Sequence, residues 1–147
     1  MFRGVQNISM DAKGRFAVPQ RQRARLLEDY YGELVMTVNT ASPCLVIFPM
    51  PHWEKLEAHV EALPSLDPQI KRFQRKLLGH AVDLELDTNG RVLVPPALRE
   101  YARLEKELVL VGQGTKLELW AQPLWQAEME TELDGETPSE LRSVPGL

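Results

Sequence analysis

The sequence is poor in the features that announce most functional classes. Cys44 is the single cysteine among 147 residues, so no disulfide can form within the chain, as befits a reducing cytosol. Its neighbours Leu45, Val46 and Ile47 predict a buried, inert thiol. No run of 18 apolar residues exists to span a membrane, and Met1-Phe2-Arg3-Gly4-Val5-Gln6 lacks the apolar stretch of a secretory signal. The histidines, His52, His59 and His80, show no HxxxH or HxH spacing, and there is no glycine-rich phosphate loop. Nothing in the chain assembles a nucleophile, a base and an orienting group. The reading is therefore a cytoplasmic protein that is not an enzyme, with no cofactor, no metal, no membrane partner and no small-molecule substrate.

Net charge, −4 overall, argues at first against a nucleic-acid partner, but its distribution matters more. Residues 1–25 set Arg3, Lys13, Arg15, Arg21, Arg23 and Arg25 against Asp11 alone. Residues 126–147 set Glu128, Glu130, Glu132, Asp134, Glu136 and Glu140 against Arg142. A basic front and an acidic tail hide each other in the total.

The most informative feature is internal. Ile8-Ser9-Met10-Asp11-Ala12-Lys13-Gly14-Arg15-Phe16-Ala17-Val18-Pro19 aligns with Leu84-Glu85-Leu86-Asp87-Thr88-Asn89-Gly90-Arg91-Val92-Leu93-Val94-Pro95. The order continues, with Arg23 on Arg99, Leu34-Val35-Met36 on Leu108-Val109-Leu110, and Trp53 on Trp125. Two copies of one unit explain this better than chance does.

Each copy reads as strand, tight turn, strand, short helix, strand, turn, strand, helix. Asp11 can accept hydrogen bonds from the backbone just after it, and Gly14 can take positive φ. Asn89-Gly90 is a stronger hairpin signal still. Pro19 and Pro95 end strands and suit a following helix, over about 20–29 and 96–103. Apolar strands follow at about 33–38 and 107–112.

One such unit has too little apolar surface to stand alone, whereas two can interlock into a small barrel with pseudo-two-fold symmetry. The expected fold class is α+β and β-rich, a single domain over 1–133. It comprises repeat 1 at 5–50, a helical hairpin at 51–80, repeat 2 at 81–124 and a C-terminal helix at 125–133 that begins near 122. The hairpin carries Trp53, Leu56, Val60 and Leu63 on one stripe, then Ile70, Phe73 and Leu77 on the next. Between them Asp67 should cap a helix begun by Pro68. Residues 134–147, rich in Gly, Pro, Ser and Glu, are expected to be a disordered tail.

An Asp-x-x-Gly-Arg turn admits two readings. In the plain one, Arg15 and Arg91 only cap strands or pair with Asp11 and Asp87. In the other, they meet a ligand. Lys13 in the first turn, with Arg21, Arg23 and Arg25 on the helix beyond it, favours DNA there. Lysines and helix arginines neutralise phosphates, and a loop arginine reads guanine O6 and N7 bidentately. The second turn has Thr88 and Asn89 in place of Ala12 and Lys13, and Glu100 and Glu105 accompany Arg99 and Arg103, so contact there stays open. Asp87, Gly90, Pro19 and Pro95 are read as turn-forming. Lys71, Arg72, Arg75 and Lys76 form a solvated face, a partner for the preceding acidic helix, or a charged subunit interface.

Phe2-Arg3-Gly4, Asp11-Ala12-Lys13-Gly14-Arg15 with Pro19 and Arg23, the basic central helix, and Asp87-Thr88-Asn89-Gly90-Arg91 with Pro95 together resemble the MraZ family, within the AbrB/SpoVT superfamily. The resemblance covers nearly the whole chain and fades after about residue 133. It implies an internally duplicated swapped-hairpin, double-split β-barrel with peripheral helices, and a ring-shaped, octamer-like homo-oligomer. It further implies a nucleoid-associated regulator of the bacterial division and cell-wall gene cluster, binding G-rich direct repeats in double-stranded DNA upstream of its own operon. Carried over, the DNA-reading residues are Asp11, Lys13, Gly14 and Arg15, with Arg91 as counterpart. Two other readings stay open: an AbrB-type antitoxin, and a ring-forming scaffold with little DNA binding. The duplication speaks against the first and the basic front end against the second.

Overall fold

The computed structural model describes residues 1–132 and 138–146, and one order of elements occurs in it twice. The first repeat holds β1 (Val5–Ser9), β2 (Arg15–Ala17), α1 (Gln20–Tyr30), β3 (Glu33–Val38) and β4 (Leu45–Pro49), followed by α2 (Met50–Glu61) and α3 (Pro68–Gly79). The second holds β5 (Val82–Glu85), β6 (Arg91–Leu93), α4 (Pro96–Tyr101), β7 (Glu107–Gln113) and β8 (Lys116–Ala121), followed by α5 (Gln122–Glu130) and a short α6 (Ser139–Arg142). Of the tail anticipated at 134–147, residues 134–137 and 147 lie outside the described residues.

The strands pair mostly across the two repeats rather than within them. One antiparallel sheet runs β1-β7-β8-β4-β3-β5, and β2 and β6 form a separate two-stranded ribbon. Thus β1 of the first repeat lies on β7 of the second, and β5 of the second lies on β3 of the first. The strands do not close into the barrel anticipated from the duplication, because β1 and β5 end the six-stranded sheet. Each Asp-x-x-Gly-Arg turn holds its flanks together at its mouth, where Asp11 N donates to Arg15 O at 2.8 Å and Asp87 N to Arg91 O at 3.0 Å, with one further bridge between Met10 and Phe16 at the first turn. Beyond that point the flanking strands part to find partners in the other repeat.

Period-two alternation sorts the central strands into two buried layers. Leu34, Met36, Leu45, Ile47, Leu108, Leu110, Leu117 and Leu119 face inward, together with Phe16, Val18, Val92 and Val94 of the ribbon region and Leu26 and Leu98 of the helices. The ribbon is therefore fastened to the sheet through one face only. On the outer layer Val35, Val46 and Phe48 pack beneath Trp53, Val60 and Leu77 of the helical hairpin. Asp67 caps α3 by accepting from Gln69 N at 2.8 Å, with Pro68 as its first residue. Leu63 departs from the expected stripe and is 39% exposed, since α2 has already ended at Glu61. In the second repeat the outer layer is Val109 and Trp120, joined by Cys44 of the first repeat, under Leu124 and Trp125.

Candidate nucleic-acid interface

The two turns are built by the same hydrogen bonds. Asp11 Oδ1 accepts from Lys13 N at 3.0 Å and Arg15 N at 2.9 Å, while its Oδ2 accepts from Arg15 Nε at 3.1 Å. Asp87 Oδ1 accepts from Asn89 N and Arg91 N, each at 2.8 Å, and its Oδ2 from Arg91 Nε at 3.3 Å. A carboxylate held by backbone N–H groups favours its charged form. The Arg15 N–H and guanidinium accordingly hold the Asp11 carboxyl below its usual range, against opposing desolvation, and the Arg91 N–H does the same for Asp87. Gly14 and Gly90 close the turns at φ of +88° and +72°, where a side chain would be strained.

The plain reading of these arginines, a pair with the turn aspartate, is present in the structure, yet it leaves the ligand reading intact. Each ion pair uses Nε alone. The terminal nitrogens of Arg15 and Arg91 have no hydrogen-bond partner among the described residues, and the side chains are 31% and 34% exposed. The carboxylate holds the guanidinium at Nε and leaves its two terminal nitrogens without a partner among the described residues, an arrangement suited to a bidentate acceptor.

The ribbon brings the two arginines together. Arg15 pairs with Leu93, Phe16 with Val92 and Ala17 with Arg91. Val94 N donates to Gly14 O and Val18 N to Gly90 O, both at 2.9 Å, extending the register at each end. Phe16 and Val92 are buried, so Arg15, Ala17, Arg91 and Leu93 share the outer face. Arg15 and Arg91 are diagonal neighbours on that face, with Cα atoms about 7–8 Å apart by ladder geometry. The sequence alone favours DNA contact at the first turn and leaves contact at the second open. The alternation of Arg15 with Phe16, and of Arg91 with Val92, is a local signal for the face each arginine takes, but the pairing of β2 with β6 has none.

The remaining candidates fall into two groups. Lys13 and Arg21 are exposed, and neither side chain has a hydrogen bond or ion pair with a described residue. Arg23 and Arg25 are engaged within the chain. Arg25 Nη1 donates to Met1 O, and its guanidinium lies 5.8 Å from the centre of the Phe2 ring. Arg23 Nη1 donates to Asn89 O at 3.3 Å, in the turn of the other repeat. Pro19 and Pro95 stand immediately before α1 and α4 as expected. Lys71, Arg72, Arg75 and Lys76 are exposed, on the side of α3 away from Leu77, and form no ion pair with a described residue. Cys44 is fully buried, and burial, reinforced by the Glu118 carboxylate, pushes its thiol up to about 12. It is protonated and unreactive at neutral pH.

Comparison with known proteins agrees with this duplicated architecture. The family described as "MraZ protein, putative antitoxin-like" matches the chain twice, over residues 1–76 and 77–142, so each match contains one Asp-x-x-Gly-Arg turn. A protein of Halorhodospira halophila is 51% identical over 98% of this chain and 99% of its own length. One of Pseudomonas aeruginosa is 49% identical over 98% and 99%, and one of Hydrogenovibrio crunogenus is 50% identical over 90% and 88%. All three are named "Transcriptional regulator MraZ". The class these relatives share by name is that of transcriptional regulators. Within that class, the chain belongs to the MraZ family.

Proposed function

We propose that this chain binds duplex DNA through the outer face of the β2–β6 ribbon and its two flanking turns. The observation that carries the reading is the pair of arginines on one exposed face, each held at Nε by its own aspartate with both terminal nitrogens unused. A two-stranded β-ribbon fits the major groove, about 12 Å wide, and an arginine fork matches guanine O6 and N7. Lys13 and Arg21 sit where they would neutralise phosphates and set the register. Ala17 and Leu93, the latter 51% exposed, offer apolar contacts of the kind a thymine methyl accepts.

The finer features rest on the family resemblance. The fold is a duplicated swapped-hairpin unit, and copies assemble into a ring. The operator is a set of G-rich direct repeats upstream of the chain's own operon in the division and cell-wall gene cluster. Ring assembly is consistent with unequal halves, since a head-to-tail contact closes a ring without requiring two-fold equivalence. The test is a gel shift of the full chain against the DNA upstream of its gene, at two salt concentrations with an unrelated duplex as control. A retarded band on the upstream DNA that survives the higher salt is expected. Equal retardation of both duplexes would reject sequence-specific binding.

A further inference from the structure

Arg23 and Arg99 occupy equivalent places, each on the first turn of the helix that follows its repeat's proline. Their backbone N–H groups donate to Pro19 O and Pro95 O at 2.9 and 3.0 Å. Both guanidinium groups cross to the opposite repeat. A Cβ added to Gly14 would lie 2.7 Å from Arg99 Cζ, 2.8 Å from Nη1 and 2.9 Å from Nε. One added to Gly90 would lie 3.0 Å from Arg23 Nε, with Arg23 Cδ and Nη1 nearer still. Each glycine thus supplies the positive φ of its turn and leaves the space in which the other repeat's guanidinium lies, so a side chain there would have to displace the arginine. Arg99 Nε is buried with no hydrogen-bond partner. Such burial is unfavourable in itself, so its placement needs a role other than hydrogen bonding.

We propose that Arg23 and Arg99 are positioning residues. The α1 arginine clamps the second repeat's turn, the α4 arginine clamps the first repeat's turn, and the pair locks Arg15 and Arg91 into one rigid reading unit. The proposal rests on the reading that this face meets DNA. Its consequence is non-local, because Arg99, in the less basic repeat, controls how the first turn presents Arg15. Pre-organisation of this kind raises affinity by sparing the order that binding would otherwise impose. It also assigns Arg23 a different role from phosphate neutralisation.

Salt dependence separates the two roles. A phosphate contact contributes about 0.9 to the slope of log K against log salt, and a strut contributes nothing. Arg23→Ala and Arg99→Ala should each weaken operator binding about tenfold, leaving the slope and binding to unrelated duplex unchanged. Arg23→Lys and Arg99→Lys should not rescue, since a lysine lacks the flat guanidinium. A slope reduced by about 0.9, or rescue by lysine, would overturn the proposal in favour of direct phosphate contact.

A thermal cycle tests the contact without DNA. Gly14→Ala should lower Tm by about 2–4 °C less in an Arg99→Ala background than in the wild type, because the collision has gone while the φ strain remains. Equal losses in both backgrounds would overturn the strut. Wild-type protein that binds no operator would reject the DNA reading itself, a result distinct from either of these.

Discussion

The two Asp-x-x-Gly-Arg turns share a framework and differ in charge. Both carboxylates accept the same two backbone N–H groups and the same arginine Nε. Both glycines are buried under an arginine from the other repeat. Yet Lys13 faces Asn89 across the pseudo-two-fold, and Arg21 faces Ala97. The helix after the first turn has 11 residues against 6 after the second. Framework residues are constrained by packing and must recur in both repeats, whereas residues that only touch a ligand are free to diverge. The site therefore divides in two: the recurring residues hold the ribbon and carry its two arginine forks, whereas Lys13 and Arg21, absent from the second repeat, are the residues expected to make the two ends bind DNA unequally.

The sharpest way to break this comparison is to remove one fork at a time. Arg15→Ala should cost about 1–3 kcal/mol per site, roughly 5- to 150-fold in affinity, and more where a ring engages several repeats. Arg91→Ala should cost less, because the flanking charge that seats the first turn is absent from the second. Anisotropy titrations on the operator check both, with thermal unfolding to confirm that each variant folds. Equal losses would show that the halves are used alike.

The same inequality bears on the arrangement of sites. One end of each ribbon binding more strongly than the other would give successive subunits of the proposed ring a direction, and the expected operator is then a direct repeat with a spacing of about 10–10.5 base pairs. Inserting five base pairs between repeats should cut affinity steeply, and inserting ten should restore part of it. Equal affinity at all three spacings would remove the directional assembly while leaving the ribbon's contact with DNA standing.

A smaller effect exchanges the one charge that differs within the turns. Lys13→Ala should weaken binding to operator and unrelated duplex alike, and lower the salt slope by about 0.9. Asn89→Lys should raise both by a similar amount if the second turn lies against the backbone. An unchanged slope in Asn89→Lys would place that turn away from the phosphates.

How much of this was visible beforehand depended on the range of the interaction. The turns were readable because Asp11, Gly14, Asp87 and Gly90 act within four residues of chain. The α3 cap at Asp67 and Pro68 was readable for the same reason. The apolar runs at about 33–38 and 107–112 mark β3 and β7 as buried strands. Arg23 and Arg99 aligned with each other in sequence, but nothing local says that a guanidinium reaches a glycine 67 or 85 residues away. Helix spacing groups Arg25 with Arg21 on the basic helix, and nothing local shows that Met1 and Phe2 fold back against it. The open sheet had no local signal either, since whether β1 pairs with β2 or β7 is settled by burial of the whole layer.

The smallest expected difference concerns acid. Asp11 and Asp87 both titrate below the ordinary carboxylate value of 3.8, chiefly because the Arg15 and Arg91 N–H groups donate to them. A carboxyl whose folded pKa is depressed adds stability that is complete above its unfolded value and is lost as pH falls through the folded value. Both turns should therefore stay intact from neutral pH down to about pH 4 and loosen together below it. The Gly14 and Gly90 amide resonances, followed from pH 6 to pH 2, report each turn separately. Asp11→Asn removes the charge but keeps a side-chain acceptor for Lys13 N and Arg15 N. It should abolish the transition at Gly14 and leave that at Gly90 in place. Wild-type transitions at clearly separate pH values would show that the shared hydrogen bonds do not give the two turns equal strength, and the division into common framework and divergent charge would fail at its first term.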